Sequence, residues 1–134
     1  MPRGSIGVPR IPDDVRLPPR ESLGEAQRLL DAGMPFHAHE ILEGTWKMSP
    51  DDERALWQGL AQLAVGLTHL LRGNLSGASS LLTQGRNRIW PYHLDPPHSV
   101  NVDGLISWAD GLVDALGTGL TPDPTVPTLR TPEC

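Results

Sequence analysis

The placement of proline decides where this chain can be helical. Its 14 prolines crowd residues 2–19, 91–97 and 122–132. Proline removes a backbone donor, resists a helix interior and pushes the residue before it toward extended backbone. Between Arg20 and Trp90 only Pro35 and Pro50 interrupt the chain. Both precede helix-forming stretches, where a proline is tolerated because the first-turn N–H has no partner within the helix. The pattern predicts a Pro-rich extended arm over 1–19, a single helical domain over 20–118 and a Pro-rich tail over 119–134. The two ends are expected to be loose.

Apolar residues in the middle follow helical spacing. Leu23, Ala26, Leu29 and Leu30 mark a first helix from about Glu21 to Ala32, and Gly33 is its expected stop. Pro35 opens a second helix to about Lys47. Ser49-Pro50-Asp51-Asp52 opens a third: a capping residue, a proline, then acids at the positive end of the dipole. The third helix runs to about Arg72, Gly73 closes it and Asn74 can cap a fourth that reaches about Trp90. A fifth spans about Asn101 to Leu116, with Leu105, Trp108, Ala109, Leu112 and Val113 on its apolar face. No segment alternates cleanly at period two. The expected fold is all-α, a compact bundle of about five helices built from antiparallel hairpins with Pro-rich extensions. At an offset of 40 residues, Leu30, Gly33, Ala38, Ile41 and Leu42 fall on Leu70, Gly73, Ala78, Leu81 and Leu82. That echo suggests two similar helical hairpins, in the manner of tetratricopeptide-like pairs.

Composition narrows the classes of function. A length of 134 residues suits one domain with a real core. The net charge is −5 and the leader arginines Arg3, Arg10, Arg16 and Arg20 are scattered, so no nucleic-acid partner is expected. The single cysteine, Cys134, excludes an intramolecular disulfide and a thiolate cluster and fits a reducing compartment. The leader lacks an apolar signal core, and no apolar run approaches about 18 residues, so no membrane partner is expected. A soluble, cytoplasmic protein is the expectation.

The chemistry concentrates in H-A-H-E-I-L-E, His37 to Glu43, read with Trp46. At about 100° per residue, Phe36, His39, Leu42, Glu43 and Trp46 share one face of helix two, Glu40 flanks it and His37 points away. On helix three a leucine stripe backs onto a second stripe of Gln58, Gln62, Val65 and His69, with Arg54 beside it. So few charges between Leu56 and Leu71 place this helix at the centre of the bundle. Its polar stripe is then expected to be buried against His39 and Glu43 of the antiparallel neighbour, because buried polar groups need partners.

The segment F-x-x-H-E-x-x-E-x-x-W, here Phe36, His39, Glu40, Glu43 and Trp46, resembles the signature of a family of small helical prokaryotic proteins catalogued as domain of unknown function number 309. The stretch W-Q-G-L-A-Q-L-A-V-G-L-T-H-L-L-R-G-N-L-S-G-A, from Trp57 to Ala78, is similar to it as well. The resemblance covers roughly residues 22–90. It implies an all-helical fold and no established activity.

Three readings of the polar stripes compete. The first is a hydrogen-bonded network of His39, Glu43, Gln58, Gln62 and His69, with Arg54 pairing Glu43 or Glu40. This suits a non-enzymatic binding or scaffold module, whose pocket, lined by these residues with Glu40 and Trp46, holds a small polar ligand or a partner side chain. The second is a divalent metal on His39, Glu43 and His69, serving a metal-dependent hydrolase-like enzyme; His39 and Glu43 have the i, i+4 spacing that ligands need. The third is a tetratricopeptide-like adaptor for peptides. The glutamines favour the network, and no cofactor is required by it. A homodimer is compatible with all three. His93 and His98, in the Pro-rich break, are expected to be solvated. If Glu43 is buried against His39, Glu43→Ala should cost on the order of 2–4 kcal/mol in a denaturant melt.

Overall fold

A computed structural model of the protein describes residues 17–131. Most of the N-terminal arm and the Cys134 thiol lie outside the described residues. Five helices follow in order: α1 (Pro19–Asp31), α2 (Pro35–Met48), α3 (Asp51–Leu71), α4 (Leu75–Ile89) and α5 (Val102–Gly117). Two short 3-10 turns, Trp90–Tyr92 and Pro97–Ser99, lie between α4 and α5. Among the described residues there is one isolated β-bridge, antiparallel, between Val100 and Arg130. The fold is all-α, and no described helix is long and apolar enough to cross a membrane.

The boundaries follow from local chemistry. Prolines stand in the first turns of α1 and α2. Asp51, Asp52 and Glu53 load the first turn of α3, where negative charge is favoured by the helix dipole. The N–H of Gly77 donates to Asn74 Oδ1 at 3.1 Å, which caps α4.

The hairpin echo is real at the turns. Gly33 and Gly73 both have φ +78°, a left-handed conformation that glycine enters without a Cβ penalty. The next residues close each turn in the same way: Met34 N–H donates to Leu29 O and Asn74 N–H to His69 O, both at 2.9 Å. Ala38 and Ala78, four residues on, are both fully buried. Thus α1–α2 and α3–α4 are two hairpins of one design.

The core runs through all five helices, with Leu23, Leu42, Leu56, Trp57, Leu60, Leu82 and Leu105 among its fully buried side chains. Helix α3 is central, packed against α2 on one side and α4 on the other. The α3–α4 contact is backbone to backbone. A Cβ on Gly85 would lie 2.7 Å from Gly59 O, and one on Gly59 would lie 2.7 Å from the Ile89 side chain. Gly66 makes the same allowance for Leu82.

The C-terminal segment is not loose over its described part. Gln27 of α1 donates to Pro127 O at 3.0 Å and accepts from Leu129 N–H at 2.9 Å. Asn101 N–H donates to Leu129 O and Thr131 N–H to Ser99 O, both at 2.8 Å. The Trp108 indole N–H donates to Thr125, and Leu129 is buried in the core. The sequence expectation failed here because proline-rich composition marks a lack of helix, whereas one leucine and a side-chain amide suffice to dock an extended strap.

Two glycines should respond oppositely to alanine. Gly85→Ala must push α3 and α4 apart and should cost about 1–3 kcal/mol. Gly24, exposed in α1 with open space around its Cβ position, should gain about 0.5–1 kcal/mol as alanine. Urea melts of the two variants check this; an unchanged midpoint for Gly85→Ala would mean the helices do not meet there.

Candidate functional site on the outer face of α2 and α3

Helix α2 is rotated from its expected orientation. Ala38, Ile41, Leu42 and Thr45 form its buried side, and Thr45 donates to the buried Ser22 hydroxyl of α1 at 2.6 Å. Phe36 is 43% exposed, while His39, Glu40, Glu43 and Trp46 are half-buried. This orientation buries Ala38, Ile41 and Leu42 together and satisfies the Thr45 hydroxyl on Ser22. The aromatic ends, Phe36 and Trp46, had suggested the other face.

The motif side chains therefore form a strip along the outside of α2. The Phe36 and His39 rings are 5.2 Å apart. His39 Nε2 lies 3.4 Å from Glu43 Oε2, and Lys47 Nζ lies 3.7 Å from Glu43 Oε1. The antiparallel α3 supplies a cation at each end. The Arg54 guanidinium lies 5.7 Å from the Trp46 ring centroid and that of Arg72 lies 5.9 Å from the Phe36 centroid. Arg54, Gln58, Val65 and Arg72 share one side of α3 at about 100° per residue, and none of the four is fully buried. Gln58 is thus on the same outer face as the strip. Arg54 stacks on Trp46 and pairs with neither Glu43 nor Glu40.

The expected network does not assemble. Gln62 donates to Gln84 of α4 at 3.2 Å, and Asn74 Nδ2 contacts His69 Nδ1 at 3.1 Å. Both residues lie on the α4 side of α3, turned away from α2. The obstacle is rotational: the ring of His69 faces Asn74 and the open side of Gly77. For the same reason His39, Glu43 and His69 do not form a three-ligand set. No group of three or more His, Cys, Asp or Glu side chains arranged for a metal occurs among the described residues. His39 Nδ1 and Gln62 Oε1 are buried without a hydrogen-bond partner in the protein, which leaves each with unmet bonding capacity.

A second cluster escaped sequence reasoning. His98 Nε2 donates to Glu53 Oε1 at 2.8 Å, and the same oxygen accepts from the Trp57 indole N–H at 3.3 Å. The Trp57 and His98 rings are 6.0 Å apart, and the Tyr92 hydroxyl donates to Asp52 O at 2.8 Å. His98 and Ser99 hold φ of +56° and +58°, a costly conformation for consecutive non-glycine residues. His98 is therefore partnered and half-buried rather than free in solvent, and His93, also half-buried, stacks on the exposed Trp90 at 4.1 Å between centroids. Partners 45 positions apart leave no periodic trace; two prolines before a histidine were the only hint. This cluster ties the α4–α5 connection to the first turn of α3, and it is not continuous with the α2 strip.

The two clusters predict opposite sensitivities. With its side chain 40% exposed, Glu43 should tolerate alanine at a cost of about 0.2–1 kcal/mol. Breaking the half-buried pair by Glu53→Gln or His98→Ala should cost about 1.5–3 kcal/mol. Denaturant melts rank them; a larger loss for Glu43→Ala than for Glu53→Gln would restore the buried network.

Comparison with known proteins agrees with the hairpin region and stops short of the rest. One relative, the "Uncharacterized protein YpuF" of Bacillus subtilis (strain 168), is 48% identical over 48 residues, which is 35% of this chain. The match spans 28% of that relative's length. No solved structure matches the chain. The model of a family described as a domain of unknown function matches residues 23–81. That region holds both Gly turns, the whole α2 strip and its flanking arginines, and it excludes His98, α5 and the C-terminal strap. Over residues 23–81 this chain is similar to the domain of unknown function DUF309.

Proposed function

We propose that the DUF309 region is a non-enzymatic binding module that takes a segment of a partner protein along the outer face of α2 and α3. One observation carries this reading: the strip of Phe36, His39, Glu43, Lys47 and Trp46 runs along the outer side of α2, exposed or half-buried rather than enclosed in the core. Aromatic rings and arginines at an interface supply much of its binding energy, because they offer large contact area with a polar edge. Here they occur as Phe36–Arg72 and Trp46–Arg54, one pair at each end of α2. Two stacked hairpins of one design supply a rigid support of the sort used by helical-repeat binders. Glu43, held by Lys47 and His39, forms the polar centre of the face.

Selection of an unbiased dodecapeptide display library on the full chain tests this. Enriched peptides should shift backbone amides of α2 and of the outer side of α3 in two-dimensional NMR spectra. Trp46→Ala should weaken them at least tenfold. Failure to enrich any peptide, or amide shifts confined to α5 and the strap, would overturn the reading.

A further inference from the structure

We infer that this face recognises an acidic segment carrying an apolar side chain, with the apolar group entering the cleft beside Phe36 and the carboxylate meeting Arg72. The inference rests on the binding-module reading and specifies its partner.

The cleft lies where the α1–α2 turn meets the end of α3. It encloses about 290 Å³ and is lined by Met34, Pro35, Phe36, Thr68, Leu71 and Arg72, among others. That volume is at the lower limit of small-molecule sites and suits one or two side chains rather than a cofactor. Phe36 and Leu71, on opposite helices, are 43% and 50% exposed. Two large apolar groups facing one cleft lose water only when something apolar fills it.

Charge selects the rest of the partner. Elsewhere on the helices Arg28 pairs with Glu25 and Arg86 with Asp110. Arg72 and Arg54 differ. Each lies against an aromatic ring, and neither makes an ion pair among the described residues. A guanidinium that lies beside an aromatic ring and makes no ion pair keeps N–H donors available, and those donors match a carboxylate in bidentate fashion. Of the nearby carboxylates, Glu43 is engaged by Lys47 and His39. The face thus presents two arginines with open edges, one at each end. Their backbones are 18 positions apart on α3, about 27 Å along its axis, but the rings they lie against are 10 positions apart on α2, about 15 Å. An extended segment of about five to eight residues spans that range, so one peptide can place an acid at each arginine. A phosphate backbone is the poorer match, since two separate arginines do not make the continuous basic surface that nucleic acid requires.

The test uses the full chain and two pools of fluorescein-labelled decapeptides. Both are random in uncharged residues and hold Leu at a fixed position; one has Glu beside it and at the far end, the other Gln. The Glu pool should bind at least tenfold more tightly and shift the amides of Phe36, His37, Leu71 and Arg72. Binding should weaken as salt rises. Arg72→Gln, at an exposed position just past α3, should shrink the difference between the pools, and Arg54→Gln added to it should erase the difference, with the thermal melt unchanged in both. Phe36→Ser should weaken both pools. Equal binding of the two pools on this face would overturn the acidic partner and leave the binding module standing. So would failure of both pools where the unbiased library succeeds. Shifts from either pool away from α2 and α3 would overturn both.

Discussion

The close approach of α3 and α4 sets the rest of the structure. Where Gly59 and Gly85 meet, main chain touches main chain, and the leucines on either side close over the contact. Such contacts are good only if both helices hold one register, since a shift along the axis would bring a side chain onto the glycines. Helix α3 is thereby fixed in rotation as well as position. Its α4 side takes Gln62 and His69, and the sector with Arg54, Gln58 and Arg72 is left to face outward. The face proposed as a docking surface is a by-product of that fixed rotation.

Rotation is also where reading from the sequence succeeded and failed. Helix boundaries were legible to within a residue or two, because Pro35, Pro50, Gly33, Gly73 and Asn74 act within a single turn and need no tertiary partner. The central place of α3 was legible from its lack of charge. The orientation of α2 was not. Its Phe36-His39-Glu43-Trp46 and Ala38-Ile41-Leu42-Thr45 stripes both obey helical spacing, and hydrophobic size favoured the first. Close packing against Ser22 of α1 selected the second. An error of about one residue in rotation then moved His39 and Glu43 from the interior to the surface, and with them the whole expected network.

The pairing of Glu53 with His98 and the docking of the C-terminal segment were illegible for a different reason. Both depend on contacts far apart in the chain, made by residues with no periodic pattern. They belong to one assembly. The left-handed backbone at His98 and Ser99 turns the chain so that the imidazole reaches Glu53 while Ser99 O accepts from Thr131. The strain there is offset by bonds on both sides, to the first turn of α3 and to the strap.

The twin turns at Gly33 and Gly73 carry a further consequence. Hairpins of one design stack by adding the same interface again, and nothing in the α1–α2 and α3–α4 pair limits the number. Termination has to come from elsewhere. Helix α5 occupies the flank of α4 where a third hairpin would add, and the strap runs back from α5 through Pro127 and Leu129 to Gln27 on α1. Among the described residues, α5 and the strap act as a buckle: they cover the flank of α4 and tie it back to α1, and they leave the outer side of α2 and α3 uncovered.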